Sequence, residues 1–380
     1  MNNSGILQFD TTWGGWRLRM TPFRAVLVGM AGLFVLLAAF RLITGLGAST
    51  HLSDHWPWGL WIGVDLTAVA LAGAGYSMCV MSHVLHIDDF HGISRRGMLI
   101  SLLGYVFVLL TLILEIGRWD NAYIPFLSWG HASPLFEVVI AVSIYMAIQV
   151  VEFSEVATEK VFHSANRYVQ LLLPAAFIIG AILPFGHQAS LGAIYLLMKG
   201  RLHPLWWSDM LPWFFLVTSF YAGPAMVVLE AIWSARCFGQ EVETRILARL
   251  ARIAGAIMGV YFVAKLLDLA RLGQLQGLGA GSFEVPMFLG EMVICTALPA
   301  ALAFSPWGKT KKGLFIFSLL SIAGVVLNRV NVVFTGMYRA IGSGYSPSLV
   351  EWGITLGLLA AVTLAYLFVV ENFNIFNRQH

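Results

Sequence analysis

An all-α integral membrane protein with about ten transmembrane helices is the fold class this sequence predicts, and three observations predict it. Hydrophobic residues make up 58% of the 380 and charged residues only 11%, a balance that excludes an ordinary soluble enzyme. Apolar runs near the roughly 20 residues needed to cross the hydrocarbon recur along the whole chain. Several carboxylates and basic residues nevertheless sit inside those runs, mostly towards one end. A lipid-facing charge at mid-bilayer costs about 2.5–3.5 kcal/mol on insertion scales, so these residues are expected to face a bundle interior and to act there.

Taken in order, residues 1–21 are polar, carry Arg17 and Arg19, and lack a short apolar core followed by a small-residue cleavage site. They are expected to be a cytoplasmic tail and not a signal peptide. Spans are expected near Phe23–Phe40, Trp58–His83, Met98–Ile116, Pro134–Val156 and Tyr168–Gly186. Five more are expected near Met210–Ala235, Ile253–Leu272, Val285–Phe304, Leu314–Met337 and Ser348–Val370. The transmembrane domain is thus 22–370, followed by a short cytoplasmic tail at 371–380. The Gly-rich stretch Gly273–Gly281 lacks the Lys-Ser/Thr of a phosphate-binding loop and follows no predicted strand, so it reads as an outer loop.

Loop charge assigns the sides. Arg17, Arg19, Arg24, Arg95, Arg96, Lys160, Arg167, Arg236, Arg245, Arg249, Arg252, Lys309, Lys311, Lys312 and Arg378 fall on one side. The other side has Arg41, Arg118, Lys199, Arg201, Arg271 and Arg339. The positive-inside rule therefore predicts both termini in the cytoplasm. Outer loops rich in aromatics (Trp56, Trp58, Trp61, Trp119, Tyr123, Trp129, Trp206, Trp207) fit an interfacial belt. The net charge of +3 argues against a nucleic-acid partner. Cys79, Cys237 and Cys295 lie far apart, without a CxxC pair, so any iron–sulfur cluster is expected on a partner.

Alternating span directions then assign depth. Asp65 is expected about two turns in from the outer face, with Glu115 and Arg118, Glu137 and His187 brought to the same end by the next three spans. Quinone redox chemistry suits such a group, because quinol oxidation releases two protons with its two electrons and needs an acceptor near each hydroxyl. A histidine and a buried carboxylate can supply those acceptors, and a neighbouring arginine keeps another carboxylate ionised. Trp58, Trp61 and Trp119 could border a slot for the ring. The structural alternative is that Glu115 and Arg118, three residues apart, only neutralise each other near the interface.

A second set lies in the later spans. Lys265, Asp268 and Arg271 are spaced to share one helix face, Glu284 and Glu291 are two turns apart, and Arg329 lies in the outer half of its span. These residues read equally as a proton path or as an internal salt-bridge network. Towards the cytoplasm lie Glu152, Glu155 and Glu230, and Glu137 with Glu152 could extend a proton route inward. His83 and His187 are expected at opposite ends of their spans, which excludes a bis-histidine haem between them. The run His83 to His91 has no recognised zinc spacing and reads as a solvated loop.

Five segments carry a family resemblance: Trp56-Pro-Trp-Gly-Leu-Trp-Ile-Gly-Val-Asp65, Glu115-Ile-Gly-Arg118, Leu135-Phe-Glu137, His187-Gln-Ala-Ser-Leu-Gly192 and His203-Pro-Leu-Trp206. From about Arg41 to Trp352 the chain resembles the polysulfide-reductase membrane-subunit (NrfD-like) family, and within it the HybB-type subunits of periplasmic nickel–iron hydrogenases. The resemblance implies two four-helix bundles plus additional helices, here 58–187 with the quinone site and 210–337. It implies a haem-free subunit of the bacterial inner membrane, using menaquinone or ubiquinone near the periplasmic face. It further implies a periplasmic ferredoxin-like iron–sulfur subunit and a catalytic subunit as partners, with proton translocation in some members. Asp268 beside Lys265 departs from the hydrogenase-type pattern and puts that last property in doubt.

The function expected is therefore a quinone-reactive membrane subunit of a respiratory oxidoreductase, exchanging electrons between the quinone pool and an iron–sulfur partner. Asp65, His187, Glu115, Arg118 and Trp61 are expected to bind the quinone, and Glu137, Glu152, Asp268, Lys265 and Glu291 to transfer protons. The rival reading is a secondary transporter or ion carrier without redox role, against which stands the lack of clearly broken helices at mid-depth. A passive anchor is the third.

Overall fold

The computed structural model describes residues 8–128, 130, 132–241, 243–279, 281–342 and 344–376. Trp129 and Arg378, counted above in the aromatic belt and the loop charges, lie outside the described residues, as do the ends of both tails. Ten helices long and apolar enough to span a bilayer run through the described residues. They are α1 (Pro22–Thr44), α2 (Leu60–Val84), α3 (Asp88–Glu115), α4 (Pro134–Lys160) and α5 (His163–Met198). The second half holds α6 (Leu211–Phe238), α7 (Thr244–Arg271), α8 (Glu284–Phe304), α9 (Lys311–Ile341) and α10 (Leu349–Asn372).

All ten expected spans are present, and most run past their apolar windows. α3 starts ahead of Met98 because its polar first turns are engaged: Arg95 meets Glu159 at 2.5 Å, and Arg96 meets Glu230 at 2.9 Å. α5 passes through Pro174 and Pro184 and continues well beyond Gly186. The N-terminal tail also holds a short hairpin, β1 (Phe9–Trp13) paired with β2 (Trp16–Met20). Its two-residue turn, Gly14-Gly15, has φ of 57° and 83°, the left-handed region that such turns require and glycine adopts freely.

The hairpin binds the other end of the chain. The Arg17 backbone N–H donates to Asn372 Oδ1 at 2.7 Å, Asn372 Nδ2 donates back to the Arg17 carbonyl at 3.1 Å, and Trp16 packs on Phe368 and Phe373. Arg24 adds a 2.5 Å ion pair to Glu371. The hairpin and the end of α10 therefore lie at one end of the helices, called here the terminal end; the opposite end is called distal.

Packing sorts the helices into neighbours. α2 lies against α3, α3 against α4, and α4 against α5; in the second half α6 packs on α7 and α9, and α8 on α7 and α9. α1 packs on α10, and α2 and α5 against α6 join the halves through one continuous apolar core. Two close crossings depend on glycine. A Cβ on Gly223 of α6 would strike the backbone of Gly73 and Ala74 on α2, and one on Gly357 of α10 would lie 2.6 Å from the Met30 carbonyl on α1. Small residues at crossings let backbones approach in the absence of a hydrophobic drive between helices.

Three helices carry wider i→i+5 turns, at Val80–Val84 in α2, Gly290–Ala297 in α8 and Asn331–Thr335 in α9. Such turns insert one residue and often mark functional positions. The helices continue through them as bulges without a break. In α8 a physical cause is at hand, because Pro299 has no N–H to offer the preceding turn.

Candidate functional site

The distal ends of α2, α3 and α10 meet in an apolar node of Trp61, Leu114 and Ile354. Each of these residues has a carboxylate close to it along its own helix. Asp65 follows Trp61 by one turn, Glu115 follows Leu114 directly, and Glu351 precedes Ile354 by three residues on the same face. Asp65 is buried, and the packing of Trp61, Leu114 and Ile354 brings the three carboxylates to one node.

The three carboxyls are satisfied to different degrees. Thr111 Oγ donates to Asp65 Oδ1, while Asp65 Oδ2 and both oxygens of Glu115 are buried without a hydrogen-bond partner. Glu351 is fully buried and fully bonded: the Tyr345 hydroxyl donates to Oε1, and the backbone N–H groups of His51 and Ser348 donate to Oε2 at 3.1 and 2.8 Å. Unpartnered donors face the same region. The Trp61 indole N–H and the Tyr195 hydroxyl are buried without partners, and the Tyr195 ring meets Trp58, just ahead of α2, edge-on at 5.3 Å. Fully buried Arg41 of α1 donates to the Ile116 carbonyl at 2.7 Å, beside Glu115, and leaves Nε and one terminal nitrogen unbonded. Unpaired buried polar groups cost roughly 1–3 kcal/mol each, so a concentration of them points to a ligand that completes them.

Five residues expected at one depth are not all brought together. Arg118 is exposed and pairs with Asp120 at 2.8 Å, because α3 ends at Glu115 and the i,i+3 geometry ends with it. Glu137 is exposed in the first turn of α4. His187 is fully buried well inside α5, not at its end: its Nε2 shares a 2.5 Å hydrogen bond with the Tyr105 hydroxyl, and Tyr145 packs on both rings. Tyr105 lies six residues deeper on α3 than Thr111, about 9 Å at helical rise. Gln188 reaches the Val69 carbonyl of α2 at 2.9 Å, one turn past Asp65. His187 therefore forms a second layer beneath Asp65.

The later helices hold a separate polar core around the bulges of α8 and α9. Glu291 accepts from the Trp206 indole at 2.9 Å, from Asn331 at 2.8 Å and from Asn328 at 2.6 Å. Asn328 also accepts from Arg329 at 2.6 Å, so one amide bridges carboxylate and guanidinium. Arg329 lies 3.7 Å over the Phe215 ring and donates to Thr218. Buried Lys265 has its ammonium 5.0 Å from the Phe214 ring centre. Asp268 instead pairs outward with Arg271 at 2.8 Å, and Arg271 also pairs with Asp209; Glu284 pairs with Arg339. The guanidinium of Arg271 holds the Asp209 carboxyl below its ordinary value.

Near the terminal end, Glu230 is clamped by Arg96, by Ser234 through Arg96, and by Tyr366 of α10. Glu152 is buried in α4 with Oε1 unbonded, pressed against Gly180 of α5, where any Cβ would collide with it. At the distal surface a cleft of about 480 Å³ is lined by Lys199, Arg201, His203, Trp207, Gln274 and Arg339, among others.

The sequence reading passed over Glu351, Tyr345, Thr111, Tyr105 and Arg41 in the first set, and Asn328 and Asn331 in the second. Ser348-x-x-Glu351 was a readable capping box, and the structure forms it, but nothing local showed that its carboxylate would be buried.

The model of the polysulphide reductase, NrfD, family matches residues 48–341. The chain belongs to the NrfD family. Relatives match it nearly end to end. A Nitratidesulfovibrio vulgaris protein is 30% identical over 365 residues, 93% of this chain and 94% of its own. The probable Ni/Fe-hydrogenase 2 b-type cytochrome subunit of Escherichia coli is 28% identical, covering 89% of this chain and 88% of its own. The menaquinone reductase integral membrane subunit of N. vulgaris is 27% identical, covering 87% and 85%. The matched family region leaves out α1 and α10, which pack on each other.

The b-type cytochrome in one relative's name raises the question of haem, and His83 and His187 do not fit a bis-histidine site. His187 Nε2 is taken by Tyr105, and His83 stacks on Phe177 at 4.0 Å near the terminal end of α2. No step below passes through a haem.

Proposed function

We propose that this NrfD-family chain is the quinone-reactive membrane subunit of a multisubunit respiratory oxidoreductase of the bacterial inner membrane. It exchanges electrons between the quinone pool and an iron–sulfur subunit docked at the distal end, which serves a catalytic subunit. The observation that carries this reading is the set of unpartnered buried groups at the Trp61–Leu114–Ile354 node. A quinone has two carbonyl oxygens that accept hydrogen bonds, and the quinol has two hydroxyls that donate them. Trp61 and Tyr195 offer donors for the first, and Asp65 and Glu115 offer acceptors for the second.

The bound quinone supplies two-electron chemistry linked to two protons. The chain's residues orient it and handle those protons. Asp65, held by Thr111 through one oxygen, presents the other to the head group, and Glu115 has both oxygens free to exchange a proton. His187 acts from the layer beneath, fixing Tyr105. Menaquinone is the favoured quinone, in keeping with the relative named menaquinone reductase. The distal end faces the periplasm on the loop-charge argument, which places both termini in the cytoplasm.

The Glu291–Asn328–Arg329 core with Lys265 supports coupling of electron transfer to proton movement in the second half of the molecule. Glu152 is a further candidate for that movement, because its carboxyl is buried and half unbonded.

The test is quinone-dependent electron transfer in the assembled complex, comparing wild type with Asp65→Asn and His187→Ala. Loss of quinone turnover, with dye-linked catalysis and assembly preserved, is the expected result. Unchanged turnover in both variants would move the quinone elsewhere and leave the node structural.

A further inference from the structure

Tyr345 and the first turn of α10 lie beyond the matched family region, yet they are built into the motif that opens α2. The Tyr345 ring packs on Trp56 and Phe334, at 6.1 and 5.7 Å, and those two rings lie 6.4 Å from each other, so the three form one aromatic cluster. Its hydroxyl accepts from the Leu60 N–H at 3.0 Å and donates to Glu351. Gly59 makes this approach possible: a Cβ there would lie 2.5 Å from the Tyr345 hydroxyl and 2.6 Å from Leu52. The Trp56-Pro-Trp-Gly-Leu-Trp61 segment thus forms a seat for a tyrosine almost 300 residues away.

The groups form an ordered series. The Glu115 carboxylate oxygens are buried and unbonded, Glu351 is fully buried, Tyr345 is partly exposed and His51 is exposed. Leu114, next to Glu115, and Ile354, one turn along from Glu351, pack together with Trp61, which brings the two carboxyls to one node, and Tyr345 is hydrogen-bonded to the second of them. The His51 backbone holds Glu351, and its ring Nδ1 bonds the Ser346 carbonyl at 2.8 Å, so this loop closes over the carboxylate at the aqueous surface.

We propose that Glu351 and Tyr345 are the proton outlet of the quinone site, passing protons between Glu115 and water at the distal surface. The inference rests on the quinone reading above. When the quinol gives two electrons to the iron–sulfur partner, each hydroxyl O–H breaks and its proton joins a carboxylate oxygen of Asp65 or Glu115. Glu351 takes that proton next, with Tyr345 reorienting its own O–H, and water at the His51 loop receives it. Quinone reduction runs the same series inward. Glu351 touches no substrate in this scheme; it serves the reaction through Glu115.

The experiment uses the complete complex with Glu351→Gln, Tyr345→Phe and Asp65→Asn. Glutamine at this position can still accept the Ser348 N–H, so the helix cap survives while the proton carrier is removed. The expected result for Glu351→Gln is a loss of quinone turnover of about 100-fold, the low end for a positioned acid–base group, with assembly and dye-linked catalysis intact. Tyr345→Phe is expected to slow turnover less and to raise its solvent isotope effect, which a packing role would not change. Should Glu351→Gln fail to assemble, Tyr345→Phe decides alone. Wild-type turnover and isotope effect in Glu351→Gln and Tyr345→Phe, with Asp65→Asn inactive, would overturn the outlet and leave the quinone site standing. Wild-type turnover in all three would overturn both.

Discussion

Removing one partner of the Arg96–Glu230 pair should destabilise the protein unequally, depending on which partner is lost. One terminal nitrogen of Arg96 donates to both Glu230 oxygens, at 3.1 and 2.9 Å, and to Ser234 at 2.7 Å. Its guanidinium also lies 4.3 Å over the Phe376 ring, and the two side chains are only 10% and 6% exposed. Breaking a buried ion pair leaves an uncompensated charge, at a cost of about 3–5 kcal/mol. Glu230→Leu should incur that full cost, because a guanidinium does not give up its proton in proteins. Arg96→Met should cost less, about 1–3 kcal/mol, because the stranded carboxyl can take up a proton and keeps its Tyr366 hydrogen bond. The double variant, apolar at both positions, should lie above Glu230→Leu in stability. Thermal unfolding midpoints of the purified protein in detergent, followed by tryptophan fluorescence, order the three. Equal midpoints for the two single variants would refute the asymmetry, and a double variant as unstable as the sum of both would refute the pairing argument.

Three further outcomes are expected. Trp206→Phe removes one of three hydrogen bonds to the Glu291 carboxylate at a cost of about 1.5–3 kcal/mol and should lower the unfolding midpoint; an unchanged midpoint would show that Asn331 alone secures Oε2. Gly357→Leu should separate α1 from α10, seen as faster proteolysis of the N-terminal hairpin; unchanged proteolysis would show that the close crossing is not needed. Burial of His203 lowers its pKa below the ordinary value of 6.5, so the unfolded loop binds the proton more readily and stability rises with pH. The stabilisation is complete above about pH 6.5 and fades as pH falls below it, so hydrogen exchange across residues 199–210 should quicken from pH 7 to pH 5, once corrected for intrinsic rates. Identical protection at both values would contradict this, and His203→Asn should remove the pH dependence.

The spans were legible because bilayer thickness demands an apolar length, and length can be read without tertiary knowledge. Their ends were less so. The polar first turns of α3 look like loop in sequence and become helix only because Glu159 and Glu230, far along the chain, meet Arg95 and Arg96. The depth of His187 was misjudged for a related reason. Pro184-Phe-Gly-His-Gln-Ala-Ser190 reads as the end of a span, yet the helix passes through, with His187 and Gln188 buried against α3 and α2. Asp65 and Glu115 were legible as intramembrane carboxylates, whereas Arg118 was assigned to them on helical spacing that stops one residue past Glu115. Glu351 gave only a capping signal, since its burial depends on the loop at His51. Wide turns in α8 and α9 leave no clear trace in the apolar pattern.

The pairing of the first helix with the last has a consequence for biogenesis. α1 leaves the ribosome ahead of α2, but its main packing partner, α10, is made nine spans later. Until then α1 has to remain in lipid with most of its surface unmatched, and its apolar sequence suits it to that wait. Arg41 is the exception, because its buried guanidinium needs the Ile116 carbonyl at the end of α3. The hairpin at the N-terminus waits longer still, for Asn372 and Phe373. Insertion of the final helix therefore closes the molecule in one step: it captures α1, fastens the hairpin and delivers Glu351 to the distal node. A nascent chain stalled before residue 349 would hold nearly all the apolar core and still lack a finished site.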